Sequence, residues 1–268
     1  GNIYINGGIQ GDQKAHIRAG GDITVKFINN ATVEAGKNVV VSGAISNSVV
    51  KAGKRVLVEG AKAVIVGGEI QAEQEVSASI LGSDLGVKTR IQLGAELQKK
   101  IENKNDQAQK INALMANYKK LQQAANTLNQ LRDKGKLNPD QTELRLKIIR
   151  GGLQMQAQIK RMQEEQELVK EEIDRVRKEM VGVVAKQVAW PGLQITILGQ
   201  QFAVKTQTSK AIFALLKNEV NVFAYKEHEE KKGKKDKSVK EQSSEDPGVA
   251  EGEKKSAVAD ALAKVRDE

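Results

Sequence analysis

The chain has 268 residues and a net charge of +9, with 39% apolar residues, 3% aromatic residues and no cysteine. The absence of cysteine excludes a disulfide scaffold and thiolate metal sites, and the scarcity of aromatic rings argues against a surface that stacks sugars or bases. The sequence contains no run of about 18 apolar residues, the length needed to span a membrane. The basic residues are spread along the chain, which does not favour nucleic-acid binding.

A degenerate repeat occupies residues 1–94. An apolar residue, any residue and alanine recur at intervals of about 16, 17 and 20 residues, each time followed by an apolar-x-apolar triplet. Short alternating segments that break at Gly, Asn or Ser are typical of half-buried strands joined by tight bends. We therefore predict a parallel β-helix, whose stacked coils share one core. The right-handed form is favoured because the spacing drifts from the strict hexapeptide phase usual in left-handed β-helices. The repeated alanines are Ala19, Ala35, Ala52 and Ala72.

Small residues mark the predicted corners of the coils. Alanine fits where the chain of a narrow coil turns inward. Gly20, Gly36 and Gly53 follow three of the alanines, and we expect them to adopt positive φ without a Cβ clash. Three asparagines are expected to form side-chain hydrogen bonds at corners: Asn29, Asn30 and Asn47.

Residues 95–182 change to a helical pattern and predict an antiparallel coiled-coil hairpin. One helix is expected from about Ala95 to Arg132 and a second from about Asp140 to Met180, joined by a turn at about residues 133–140. Heptad spacing in the second helix indicates a left-handed coiled coil. Its stripe is Ile148, Gly152, Met155, Ile159, Met162, Gln166, Val169, Ile173, Val176 and Met180. The first helix offers a less regular stripe, namely Leu97, Ile101, Ala108, Ile111, Met115, Tyr118, Leu121, Ala125 and Leu128.

Gly151-Gly152 predicts a point at which the second helix bends or frays. Residues 183–225 return to the strand pattern and are expected to complete and cap the β-helix, with Trp190 packed over an open coil end. Residues 226–268 are rich in charge and are expected to be a disordered tail.

The sequence assigns no catalytic residue, cofactor or metal ligand. The only histidines are His16 and His228, and His16 is better explained as an ordinary outward residue than as the base of a β-helical acyltransferase. Polysaccharide lyases on β-helices use clustered acids, whereas the acids of the coils are scattered and better explained as salt-bridged solvent positions. These acids are Asp12, Asp22, Glu34, Glu59, Glu69 and Glu75.

An ordered set of motifs resembles one family. The set comprises Ile-x-Ala-Gly-Gly-Asp-Ile repeats, the segments 66–72 and 81–89, a coiled-coil insertion, and the return segment 190–195. Together they resemble the bacterial flagellar assembly protein A family over about residues 1–225, without that family's separate N-terminal domain. The resemblance implies a right-handed β-helix in a cytoplasmic bacterial protein that acts in flagellar placement or assembly, with the cell pole as an expected location and no established catalytic site.

Our leading hypothesis is a non-enzymatic scaffold that binds cytoplasmic regulatory or flagellar proteins through the β-helix or the coiled coil. We expect the hairpin tip to contact an acidic partner through Arg132, Lys134, Lys136 and Leu137. Two alternatives remain open: a cytoskeletal polymer formed by self-association of β-helices, and a carbohydrate-active β-helix enzyme. Peripheral contact of the basic helices with anionic lipid is a further alternative.

Overall fold

A computed structural model describes residues 1–12, 14–60, 63–136 and 138–225. These residues form two compact units: a solenoid unit (residues 1–95 and from 179 onward) and a hairpin unit (residues 96–178). The predicted tail at 226–268, with His228, lies outside the described residues, as does Leu137.

The elements follow one another in the order that the sequence pattern predicts. Before the hairpin lie β1 (Ile3–Tyr4), β2 (Ile9–Gln10), β3 (His16–Ala19), β4 (Ile23–Val25), β5 (Ile28–Asn29), β6 (Thr32–Ala35), β7 (Val39–Val41), β8 (Ala44–Ala52), β9 (Arg55–Val58), β10 (Val64–Ala72), β11 (Glu75–Leu81) and β12 (Thr89–Leu93). The hairpin consists of α1 (Ala95–Asp133) and α2 (Pro139–Glu179). After it come β13 (Gly182–Ala189), β14 (Leu193–Ile197), β15 (Gln200–Ala203), β16 (Thr208–Leu216) and β17 (Glu219–Ala224).

Parallel pairing organises the strands of the solenoid unit into three ladders, which confirms the predicted parallel β-helix. The first ladder runs through β1, β4, β7, β9, β11 and β13. The second begins with β2 and β5, and the third with β3 and β6. The longer strands β8, β10, β11 and β13 turn a corner and pair in two ladders each. The handedness of the winding stays a prediction.

The first and third ladders each send two columns of apolar side chains into the core, because alternate residues of their strands face inward. The predicted alanines Ala19, Ala35 and Ala52 stack directly and are buried, as expected for small residues at an inward turn. Columns of branched residues fill the remaining width of the lumen, since these side chains pack well on a pleated surface. One column of the first ladder is Ile23, Val39, Val56, Val76 and Val183, all fully buried.

The corner glycines are needed for a different reason from the predicted one. Gly20, Gly36 and Gly53 do not have the expected positive φ. Instead, a Cβ on Gly36 or Gly53 would strike the backbone carbonyl of the glycine one coil earlier, Gly20 or Gly36. The left-handed backbone that we expected of these glycines occurs at Asn30 and Asn47, with φ of 50° and 48°. Close stacking of one corner on the next therefore explains the glycines.

Antiparallel strands close the C-terminal end of the solenoid. β15 pairs with β14 and β16 pairs with β13, so that the last parallel strands have no free edge. The rings of Phe202 and Phe213 lie 5.7 Å apart there, and Phe213 is fully buried. Trp190, the expected cap, is half-buried at a corner, where its backbone N–H donates to the carbonyl of Leu81 at 2.8 Å. The covering role thus belongs to β15, β16 and their phenylalanines.

The two helices of the hairpin run antiparallel. The Nζ atom of Lys100 lies 2.7 Å from a carboxylate oxygen of Glu172, and far along the hairpin Arg145 Nε donates to Asn129 Oδ1 at 2.6 Å. α2 continues through Gly151-Gly152 without interruption, so the helix does not fray at this point, and the expected bend stays a prediction. Among the described residues, no helix has the length and apolar character needed to cross a bilayer.

The heptad stripe of α2 is confirmed, because its ten predicted residues are all buried or half-buried. One residue of the α1 stripe is wrong. Met115 is 47% exposed, and the neighbouring Leu114 is half-buried in its place. The 3-and-4 alternation of α1 breaks near this point, which moves the side chain at position 115 away from the seam.

Candidate functional site

The turn between α1 and α2 is tightly fixed by backbone hydrogen bonds. Gly135 has φ of 65°, and its N–H donates to the carbonyl of Arg132 at 2.9 Å. The N–H of Lys136 donates to the carbonyl of Leu131 at 3.0 Å. This pair of bonds is the Schellman arrangement that ends a helix on a left-handed glycine.

The start of α2 is capped by reciprocal hydrogen bonds. The Asn138 side chain accepts from the N–H of Gln141 at 2.8 Å, and the Gln141 side chain accepts from the N–H of Asn138 at 3.1 Å. Pro139 occupies the first helical position, where a missing N–H costs nothing. The hairpin tip is therefore a defined surface, because both helix ends are satisfied internally.

The structure brings three of the four predicted contact residues to this tip. Arg132, Lys134 and Lys136 are all exposed, whereas Leu137 lies outside the described residues. Arg132 donates from Nη2 and Nε to Asp133 Oδ1 at 2.8 and 3.0 Å, so its charge is partly offset. Within the described part of the chain, Lys134 and Lys136 have no ion pair.

The charge of the hairpin is unevenly distributed along its length. We define the tip half as residues 107–161 and the root half as residues 96–106 and 162–178. The tip half contains 11 Lys and Arg against 3 Asp and Glu, and the root half contains 7 against 9. The basic excess of the hairpin is thus confined to the tip half.

Several acids of the root half are held by lysines. A hydrogen bond from Lys100 lowers the pKa of the exposed Glu172 carboxyl, and a hydrogen bond from Lys170 does the same to the pKa of Glu167. Because these groups are solvated, the pairs contribute little to stability. The root half is close to neutral because it has 7 basic and 9 acidic residues, which leaves the tip half as the positively charged surface of the hairpin.

The solenoid has an open polar groove of about 710 Å³ on its third ladder. Its one carboxylate is that of Glu69, which lies 4.0 Å from Arg90 and accepts from Gln71 at 2.6 Å. Glycosidic and lyase chemistry needs a pair of acids, or an acid with a base, around the scissile bond. The groove offers no second acid and no histidine among its lining residues, and its single acid is already paired with Arg90. No cluster of His, Cys, Asp or Glu suited to a metal occurs in the described ranges.

The other predicted polar positions also have structural partners. Asp22 accepts from both the backbone and the side chain of Asn38 at 3.0 and 2.9 Å. Glu34 lies 3.4 Å from Arg18 and 3.8 Å from the exposed His16. These contacts link one coil to the next and fit the interpretation of the coil acids as salt-bridged positions.

Glu75 is a buried acid beside the points where the hairpin leaves and rejoins the solenoid. Its side chain is 10% exposed and lies 3.9 Å from Arg55. Burial raises the pKa of the Glu75 carboxyl above 4.5, while Arg55 and Lys186 lower it in part. Next to it, Gln74 donates to Glu179 at 2.6 Å. Glu75 does not line the groove of the third ladder, and its contact with Arg55 is that of a structural group.

A set of apolar side chains in the tip half was missed by the sequence analysis. Leu146 and Leu153 are 52% and 63% exposed, one heptad apart, with Ile149 between them. Their spacing of three and four residues forms a second stripe beside the seam. That spacing is visible in the sequence and could have been found once the seam itself had been assigned.

Taken together, the ladders and the hairpin define a class of protein: a parallel β-solenoid that carries a long helical hairpin between two of its coils. The family model of the flagellar assembly protein A β-solenoid domain matches residues 1–220. The chain therefore belongs to the flagellar assembly protein A family, which confirms the resemblance seen in the motifs. Neither a curated protein nor a solved structure gives a significant match to the chain.

Proposed function

We propose that the protein is a non-enzymatic scaffold in flagellar assembly or placement, and that the tip half of its hairpin binds an acidic partner protein. The family supports the flagellar part of this proposal. The observation that carries the binding part is the concentration of 11 basic and only 3 acidic residues in the tip half. A charged surface on a long hairpin accelerates encounter with a partner of opposite charge and selects against wrong partners.

The tip contributes to this surface through Arg132, Lys134 and Lys136, together with Leu137. Its caps hold the helix ends in place, so that the basic side chains are presented from a fixed backbone. A preorganised backbone lowers the entropic cost of binding. The expected partners are cytoplasmic regulatory or flagellar proteins, and the expected location is the cytoplasm at the cell pole.

Deletion and complementation test both parts of the proposal. Deletion of the gene is expected to change the number or position of flagella, counted by electron microscopy. Complementation with Arg132→Glu/Lys134→Glu/Lys136→Glu is expected to fail, because the partner then meets like charge. In a pull-down with the full-length protein, the same variant should lose partners whose binding weakens with salt.

A solenoid variant with the same change in charge provides the control. Lys14, Lys26 and Lys37 are exposed on the coils, and their replacement by Glu should restore flagella and retain the partners. Equal rescue by the tip variant would remove the tip from the proposal. Unchanged flagella after deletion would remove the flagellar role itself.

A further inference from the structure

An apolar groove runs along one side of the hairpin in its tip half. On α2 it is bordered by the half-buried Ile149 and the exposed Leu153, and the exposed Leu146 lies one heptad before Leu153 on the same stripe. On α1 it is bordered by Tyr118, Gln122 and Ala125. Leu146 and Leu153 lie beside the seam and are not needed to close it, since the seam at this level uses Tyr118, Leu121, Ala125, Ile148 and Gly152.

The groove contains a hollow where α2 lacks a side chain. The hollow has a volume of about 160 Å³ and is lined by Tyr118, Leu121, Gln122, Ala125, Ile148, Ile149, Gly152 and Leu153. A Cβ on Gly152 would lie 3.8 Å from the Tyr118 ring, so side-chain atoms would fit in this space without a clash. An apolar hollow of roughly 150 Å³ accepts a group as large as benzene. It therefore has room for one apolar side chain of a partner.

Basic residues flank the groove on both sides. Lys119 precedes Gln122 by three residues on α1, and Arg150 precedes Leu153 by three residues on α2, which places each beside a residue that lines the hollow. Both are exposed. α1 has no Asp or Glu between Asp106 and Asp133, and α2 has none between Glu143 and Glu164. The walls of the groove are thus apolar and its rims are positively charged.

We propose that this groove binds one amphipathic helix of a partner protein, whose apolar stripe is flanked by Asp and Glu. The i, i+3, i+7 spacing of Leu146, Ile149 and Leu153 matches the spacing of side chains on a docked helix. A second copy of the chain is disfavoured as the occupant, because groove-to-groove packing would oppose Lys119 and Arg150 with like charges. This inference rests on the proposed scaffold function and names the surface and partner class that would serve it.

A synthetic helical peptide provides the direct probe. It carries leucines at i, i+3, i+7 and i+10 with glutamates on both flanks, and its binding to the full-length protein is measured by fluorescence anisotropy. A matched peptide has the same leucines with lysines on the flanks. We expect the acidic peptide to bind at least about tenfold more tightly, with the difference shrinking at high salt.

Variants of exposed residues locate the binding site. Leu146→Gln/Leu153→Gln removes two anchors without opening the seam, and it should weaken the acidic peptide at least about tenfold. Leu168→Gln is the control, since Leu168 is 68% exposed on the same helix but lies in the root half. It should leave binding unchanged. Equal loss in both variants, or in neither, would overturn the proposal.

A variant at Gly152 separates binding from structural damage. Gly152→Ala puts a methyl group into the hollow, so it should weaken the peptide while raising the melting temperature of the hairpin, because alanine favours a helix over glycine. Damage to the hairpin would instead lower both. Binding that rises with stability would contradict the proposed role of the hollow.

The chain lacks cysteine, so the variant Gln122→Cys has a single thiol, and this thiol lies at the lining of the hollow. An environment-sensitive fluorophore or a photo-crosslinker can be attached to it. In cells, the cross-linked segment identified by mass spectrometry should be acidic, with apolar residues at i, i+3 and i+7. Three results would overturn the proposal by showing another occupant of the groove. Sedimentation could show a dimer that Leu153→Gln dissociates, which would indicate a second copy of the chain. Removal of residues 226–268 alone could change the fluorescence, which would indicate that segment, and displacement of the peptide by anionic vesicles would indicate a lipid surface.

The failure of this proposal is distinguishable from that of the scaffold function. A groove variant that restores normal flagella and binds the peptide normally rejects the groove alone. Normal flagella after gene deletion reject the flagellar role. If the groove variant still loses peptide binding in that case, the groove remains supported as a helix-binding surface.

Discussion

The solenoid unit and the hairpin unit use the same aliphatic residues in opposite ways. In the solenoid, three ladders direct their columns into one lumen, and Ile23, Val39 and Val56 are completely buried. In the hairpin, each helix has a single seam, so that Leu153 and Leu168 remain mostly exposed. Packing therefore dictates most apolar residues of the solenoid, while the hairpin has apolar residues that packing does not require. The latter are available for recognition.

The largest expected effect is a cavity in the lumen. Ile70→Ala removes a fully buried side chain of the third ladder and should lower the free energy of unfolding by about 2–5 kcal/mol. Urea denaturation followed by the fluorescence of Trp190, the single tryptophan, reports on the solenoid unit. Leu144→Ala, at a half-exposed hairpin position, should leave that transition within about 0.5 kcal/mol. Similar losses for both variants would break the comparison.

A smaller loss is expected at a stacked corner. Gly53→Ala forces a methyl group against the carbonyl of Gly36, and the resulting overpacking should cost about 1–3 kcal/mol. Gly7→Ala is the matched control, because no atom lies within 4 Å of its added Cβ. The same fluorescence measurement should show no loss for Gly7→Ala. A neutral Gly53→Ala would show that the corners can separate without cost.

The stability of the hairpin should depend on the hydrogen bond that caps α2. Asn138→Ala removes the side chain that caps α2 at Gln141 and should cost about 1 kcal/mol. Circular dichroism at 222 nm follows the helices during denaturation, while Trp190 follows the solenoid. A shift in the midpoint of the helical transition alone would support separate stabilisation of the hairpin unit and the solenoid unit. A matching shift in the Trp190 signal would indicate that the two units unfold as one.

The smallest expected effect is a dependence on pH at Glu75. Because burial raises the pKa of this carboxyl above 4.5 in the folded protein, the folded state binds its proton more tightly than the unfolded state. The stability that Glu75 contributes is therefore fully present below pH 4.5 and is lost as the pH rises through the raised pKa.

Glu75→Gln removes this dependence. The variant should gain stability relative to the parent as the pH rises from 4 to 8, measured by urea denaturation at each pH. The gain is limited because Arg55 and Lys186 favour the charged carboxylate. Glu69→Gln, at a more exposed ion pair with Arg90, is the control and should show a much smaller change. A constant difference across the pH range would contradict the assignment.

The repeat predicted the parallel coils well, because stacking imposes the same apolar position on every coil. It could not predict that β15, β16 and β17 run antiparallel, since the apolar-x-apolar pattern is identical in both directions. The turns that reverse them, Leu198-Gly199 and Lys217-Asn218, have positive φ at both residues. Only the glycine and asparagine of these pairs are typical of such turns.

For the candidate site, the sequence indicated the tip charges but not the groove. Lys134 and Lys136 could be assigned to the turn between the helices, and Arg132 to the last turn of α1, from the helix stop at Gly135 and the proline at 139. The groove depends on two helices at once: Tyr118 and Leu153 are far apart in the chain, and their place on the same surface follows only from the pairing register of the helices. The break in the α1 heptads near Met115 conceals that register from a single-helix pattern.

The hairpin leaves and re-enters the solenoid at one turn. Gly94 donates its N–H to the carbonyl of Ala72, and Val181 donates to that of Gln74 two residues later. β13 then pairs with β11 as the next coil would, with Val183 beside Val76. The two ends of the hairpin are thus held close to each other by hydrogen bonds of the solenoid, which do not involve the helices between them. Whole heptads could be added or deleted without altering a single pairing of the solenoid, which makes the length of the arm an adjustable parameter for protein engineering and for evolution alike.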